Sequence, residues 1–181
     1  MRIAMMLAAL TLAGCNDPAP AAKPQAKVAA APATNVPQLN TIDRSHAGTP
    51  APAVLFENAA RKPIGLAEYR GRKLLVNLWA TWCAPCLAEM PQIDTLAATR
   101  GASLAVLPIS QDMEGWQVVE PFFATKRFKA LKPYLDQPGS FAERLGVRGL
   151  PVSILYDEQG KEIWRVAGTP DWAALAAAGV V

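Results

Sequence analysis

The run Leu74-Leu75-Val76-Asn77-Leu78-Trp79-Ala80-Thr81-Trp82-Cys83-Ala84-Pro85-Cys86-Leu87-Ala88-Glu89-Met90-Pro91 joins two kinds of periodicity. Residues 74–79 are almost continuously apolar, as a central strand covered on both faces would be. From about Ala84 the apolar residues Leu87, Met90, Ile93 and Ala97 recur every three or four positions, which predicts a helix. Pro85 falls in its first turn, where a missing N–H costs little. Cys83-Ala84-Pro85-Cys86 therefore sits where the strand hands over to the helix. Unsatisfied N–H groups and the positive end of the helix dipole stabilise an anion at the first Cys. The thiolate is the species that attacks disulfides, so this position enlarges the reactive fraction near neutral pH. Cys86, one turn further on and more buried, lies within reach of Cys83. Cys83 is the candidate nucleophile and Cys86 the candidate resolving thiol of a redox-active pair.

A CxxC pair can also be half of a zinc site or a static structural bridge. Zinc needs two more ligands, and beyond residue 49 the chain holds no other Cys and no His. No metal and no cofactor is expected.

Outward from this core, residues 54–56 and the region of Ile64 predict a small hairpin around the turn-like ENAARK. Residues 104–110 predict a second buried strand and residues 114–129 a helix. A short strand near Tyr134 and a helix over 140–145 come next. Residues 152–156 and 161–166 flank Asp157-Glu158-Gln159-Gly160, a hairpin turn by composition. A last helix begins near Pro170 or Asp171. Strands alternating with helices, then a hairpin and a terminal helix, imply an α/β chain with a central mixed sheet flanked by helices.

The remaining third of the chain has a different character. One cation at Arg2 precedes an apolar run over residues 3–12, half the length needed to span a bilayer but suited to the core of an export signal. The signal ends in Leu12-Ala13-Gly14-Cys15, which resembles the bacterial lipoprotein box. Residues 1–14 are expected to be a lipoprotein signal peptide and Cys15 the lipidated residue; a plain secretory signal with a free thiol is the alternative. Lipidation would leave only Cys83 and Cys86 to pair, in a compartment where disulfides persist. Residues 15–50 include PAPAAKPQAKVAAAPATNVPQ and read as an Ala/Pro-rich flexible tether, with His46 a solvated linker residue. The folded domain is expected over 51–181.

Composition narrows the class. Of 181 residues, 51% are hydrophobic, which excludes disorder throughout. The formal charge of +3 is spread along the chain and not gathered into runs, so no nucleic-acid partner is expected. Three Cys and one His are too few for a disulfide scaffold.

The segment from Trp79 to Pro91 resembles the active-site segment of thioredoxin-fold proteins, and most of all the exported TlpA/ResA-like branch. Asn77 stands where cytosolic thioredoxins have a buried Asp, Glu89 matches the helix glutamate of ResA-like proteins, and Pro91 matches the kinking proline of the active-site helix. Gly149-Leu150-Pro151 before VSILYD resembles the cis-proline loop that faces the dithiol. The strand and helix between about 104 and 136 resemble the branch's central insertion. The resemblance spans residues 49–172 and implies a thioredoxin-like fold with an N-terminal hairpin. Val152 stands where the family often has Thr. The resemblance also brings in cytochrome c biogenesis, but this loop lacks the acidic residue that dedicated members can carry.

On this resemblance, Glu89 would move protons as the thiols exchange if burial raises its pKa, the alternative being a solvated glutamate. Trp82 would form an apolar rim touched by partners. Pro151 would be cis, and Leu150 would offer its backbone to a substrate segment in strand-like pairing; an ordinary trans turn is the alternative. Arg148 and Lys73 read as solvated charges. The implied activity is a membrane-tethered thiol–disulfide oxidoreductase on the extracytoplasmic (periplasmic) face. It would be a monomer that reduces disulfides of exported client proteins and receives electrons from a membrane donor of DsbD type. The reverse, thiol oxidation, is an alternative. A peroxidase is disfavoured because Ala80 replaces the usual Thr three residues before the reactive Cys. A Sco-like copper-delivery lipoprotein would use CxxxC and a distant His.

Overall fold

The computed structural model describes residues 42–137 and 139–181. The signal segment 1–14, the lipidation candidate Cys15 and the tether as far as residue 41 lie outside them. The described strands are β1 (Leu55–Asn58), β2 (Pro63–Gly65), β3 (Lys73–Trp79), β4 (Leu104–Ser110), β5 (Tyr134–Leu135), β6 (Val152–Tyr156) and β7 (Glu162–Ala167). They form one mixed sheet in the order β2-β1-β5-β4-β3-β6-β7. The helices are α1 (Ala84–Arg100), α2 (Trp116–Lys126), α3 (Ser140–Arg144) and α4 (Trp172–Ala177). The expected N-terminal hairpin and the strand–helix addition after α1 are both present. The short 3-10 turn Leu66–Tyr69 was not anticipated.

β3 lies at the heart of the sheet, parallel to β4 and antiparallel to β6. Its side chains alternate between two separate cores, as a pleated strand requires. Leu75 and Trp79 face a core shared with Met90, Ile93 and Leu96 of α1 and with Trp172 and Leu175 of α4. Leu74, Val76 and Leu78 face a second core closed by Phe56, Leu66 and Phe141. Asn77 has the parity of Leu75 and Trp79, which aims a polar side chain at α1 and α4. On α1 the buried apolar positions are Met90, Ile93 and Leu96, while Leu87 and Ala97 are only partly covered.

Two boundaries differ from the sequence reading. The tether expected to reach residue 50 ends earlier. Asp43 and Arg165 exchange backbone hydrogen bonds of 2.8 and 2.9 Å, and Glu162 N donates to Thr49 O at 2.9 Å. Residues 43–50 thus lie along the outer edge of β7, satisfying backbone groups that would otherwise offer a pairing template. Polar, Pro-containing composition hid this role, because an edge cover needs no apolar period. His46 is exposed in a turn of the same segment.

The helix expected over 114–129 is shorter at both ends. Gly115, at φ +70°, precedes α2, and Arg127, at φ +52°, stops it. The next N–H groups, of Lys129, Ala130 and Leu131, donate to the Asp94 carboxylate on α1 at 2.8 to 3.0 Å.

Candidate active site

β3 delivers the chain to the dithiol through residues 80–82, and that short loop is held from the side. Thr81 donates from its backbone N and its Oγ1 to Asp112, at 2.9 and 2.6 Å, and Ser110 Oγ donates to the same carboxylate at 2.7 Å. Asp112 is 1% exposed. Charge-assisted bonds of this kind are among the stronger ones. Sequence reasoning missed Asp112 and Ser110. A Ser-x-Asp at the end of a buried strand is a weak signal on its own, and the bonded partner lies 31 residues away.

Cys83 is the N-cap of α1 in extended geometry, and its Sγ accepts from Cys86 N at 3.3 Å. Pro85 occupies the first turn, as expected. The two cysteines are joined in a disulfide of 2.03 Å. Cys86 is fully buried and Cys83 shows a small exposed surface. In the reduced pair, the cap places Cys83 where an anion is favoured by an N–H donor and the helix dipole. Trp82, adjacent to it, is 67% exposed. Met113 is equally exposed, on the loop that carries Asp112, so a second large apolar side chain lies on the β4 side of this end of the sheet.

On the other flank, the Leu150–Pro151 peptide is cis. The pairing Leu78↔Val152 sets this loop beside the end of β3, at the same end of the sheet as the dithiol. Leu150 is half-buried and packs against both cores. A groove of about 570 Å³ runs past Arg148, Leu150, Pro151 and Arg165. Arg148 is exposed, as expected, while Lys73 is half-buried at the start of β3.

Glu89 lies on the inner face of α1 and is 1% exposed. Asn77 Nδ2 donates to its Oε1 at 2.9 Å, and Trp172 Nε1 donates to its Oε2 at 3.0 Å. Asn77 Nδ2 also donates to Ser153 Oγ of β6 at 2.9 Å. Burial pushes the Glu89 carboxyl up to about 7, against the pull of the Trp172 and Asn77 hydrogen bonds. A carboxyl with that affinity exchanges protons readily near neutral pH. The solvated-glutamate alternative does not match this burial. Trp172 had no signal in the sequence, since its partner on α1 lies 83 residues earlier.

Cys83, Cys86, Glu89, Trp82, Leu150 and Pro151 thus occupy one end of the sheet. Among the described residues no cluster of His, Cys, Asp and Glu could hold a metal ion.

A model of the redoxin family matches residues 46–178. A thiol–disulfide oxidoreductase named ResA from Bacillus thuringiensis subsp. konkukian is 28% identical over 126 residues, covering 70% of this chain and 72% of that protein. A solved structure, a thio-disulfide isomerase from Thermus thermophilus, is 27% identical with a TM-score of 0.63, covering 74% of this chain and 94% of that one. The pneumococcal exposed lipoprotein thioredoxin from Streptococcus pneumoniae is 25% identical with a TM-score of 0.61, covering 69% of this chain and 96% of that one.

Proposed function

The chain belongs to the redoxin family and is a thiol–disulfide oxidoreductase of thioredoxin-like fold, and on that footing we propose that it is a membrane-tethered reductant of disulfides in exported client proteins. The observation that carries the reading is the dithiol itself: Cys83 caps α1 and keeps a small exposed surface, while Cys86 is fully buried one turn behind it.

The Cys83 thiolate attacks a sulfur of the client disulfide. The client S–S bond breaks, a Cys83–client bond forms, and the departing client sulfur takes up a proton. Cys86, deprotonated, then attacks Cys83 Sγ, which releases the second client thiol and closes the Cys83–Cys86 bond. Two electrons pass from the protein to the client. Glu89, buried beneath the helix start and half-protonated near neutral pH, takes the proton that Cys86 must lose. Trp82 gives the client an apolar surface beside Cys83, and the backbone at Leu150, next to Pro151, gives it an edge to pair with.

The tether, the extracytoplasmic location and the electron donor extend this reading. The Leu12-Ala13-Gly14-Cys15 box supports a lipid anchor, and the similar pneumococcal protein is itself named an exposed lipoprotein. A reductant outside the cytoplasm needs electrons carried across the membrane, which favours a donor of DsbD type.

The test is Cys86→Ser in cells. The variant can attack but cannot resolve, so disulfide-linked adducts should accumulate on Cys83 and vanish under reductant. If no Cys83-linked adducts form, the roles given to the two thiols are wrong.

A further inference from the structure

The polar groups around Glu89 differ in what they can do when its proton comes or goes. Asn77 carries both a donor and an acceptor, and its Oδ1 is buried with no hydrogen-bond partner among the described residues. A turn of that amide would let Oδ1 accept from a protonated Glu89. The hydroxyl of Ser153, bonded to Asn77, can rotate to suit either arrangement. This side of the carboxyl can therefore adapt to either form, so the preference of Asn77 for the ionised one is softer than that of a group that can only donate.

Trp172 is not adaptable. An indole N–H only donates, and its bond is stronger to a carboxylate than to a neutral carboxyl. The ring is 1% exposed and packed into the core between the sheet and α1. The start of α4 is fixed by Asp171, whose side chain accepts from Ala174 N. Nε1 is thus held at 3.0 Å from Glu89 Oε2.

No charged group competes for control. The influences on Glu89 are burial, Trp172 and Asn77. Asp94, further along α1, and Asp171, capping α4, are each engaged with backbone N–H groups. Arg100, at the far end of α1, donates to the carbonyls of Ala176 and Val181, and the titratable groups left at the start of the helix are the thiols of Cys83 and Cys86, once reduced.

We propose that Trp172 is the positioning residue that sets the proton affinity of Glu89, so that the C-terminal helix tunes the dithiol's proton carrier through one indole N–H. The inference rests on the reading of Glu89 as that carrier. Burial raises the proton affinity of Glu89, and the hydrogen bonds from Trp172 and Asn77 lower it. Trp172, a neutral donor that cannot turn to accept, favours the ionised form without adding a cation near the thiols.

The test uses the full chain with Trp172→Phe, which keeps an apolar ring and removes the donor. A second variant carries 3-benzothienylalanine at position 172, where sulfur replaces the N–H in a ring of the same shape. Glu89 titration is followed by its carboxyl stretch in isotope-edited infrared spectra, and the pH profile of disulfide reduction is recorded beside it. Both variants should move the Glu89 titration upward by about one pH unit, about tenfold in proton affinity, and the exchange profile should move with it. An unmoved titration in the folded benzothienyl protein overturns the role of Trp172 and leaves that of Glu89 standing. A moved titration with an unmoved exchange profile upholds the hold of Trp172 on Glu89 and overturns Glu89 as the proton carrier.

Discussion

A carboxyl buried between two neutral donors ties stability to pH at a single residue. Glu89 moves from an ordinary value of 4.5 to about 7 in the folded chain. Between those values the folded state holds a proton that the unfolded state has released. Stability therefore falls as pH rises from about 4.5 to about 7 and levels off above, a loss of at most about 3 kcal/mol. Glu89→Gln stays neutral throughout, and the spare acceptor of Asn77 can receive its amide N–H. Urea denaturation at pH 5 and pH 8 should show a smaller difference for Glu89→Gln than for the parent chain. The same variant should lose the inflection near pH 7 in the exchange profile; an unchanged profile would remove Glu89 from the mechanism. The cysteines were legible because their chemistry depends on local spacing, and Glu89 because a known motif includes it. Trp172 and Asp112 were not, since each acts on a residue that only the folded sheet brings near.

The elements around the site were legible wherever local periodicity decided them. The alternating strands, the hairpin turn at 157–160 and the start of α1 at Cys83-Ala84-Pro85 are fixed within a few residues of sequence. The end of α2 is not. Arg127, Phe128 and Lys129 would continue a helix, but Asp94 on α1 captures the N–H groups of residues 129–131 and turns the chain. Burial raises the pKa of Asp94, yet the three backbone donors outweigh it and hold the carboxyl below its usual range. The stabilisation is therefore present above the ordinary carboxylate pKa and is lost as pH falls through the depressed value. Asp94→Ala leaves three N–H groups without their acceptor and should cost about 2 to 4 kcal/mol at neutral pH. Urea unfolding at pH 7 measures it, and a loss under about 0.5 kcal/mol would mean water replaces the carboxylate without penalty. The cover over β7 by residues 43–50 was equally illegible, because pairing to an edge asks only for backbone.

At the scale of the whole molecule, the sheet order gathers the reactive parts. Trp79 pairs with Ser110 and Leu78 with Val152, so the Asp112 loop and the Pro151 loop stand on either side of the chain that leads to the dithiol. On the proposed reading, a client reaching Cys83 would meet Trp82 and the cis-proline loop, while the buried Glu89 carboxyl would exchange protons with the thiols from behind, out of the client's reach. The anchor is a separate matter, testable on its own. Cys15→Ser should release the protein from the membrane fraction and abolish incorporation of labelled fatty acid, while leaving disulfide exchange in vitro unchanged. Membrane recovery equal to that of the parent chain would contradict the lipoprotein reading.

The direction of electron flow is the central claim, and the reduction potential of the Cys83–Cys86 pair tests it most directly. The full chain is equilibrated against dithiothreitol or glutathione buffers and the fraction of oxidised pair is read at each ratio. A client reductant requires a value near or below that of thioredoxin, about −270 mV. A value near that of DsbA, about −120 mV, would make the protein an oxidant of client thiols and contradict the account.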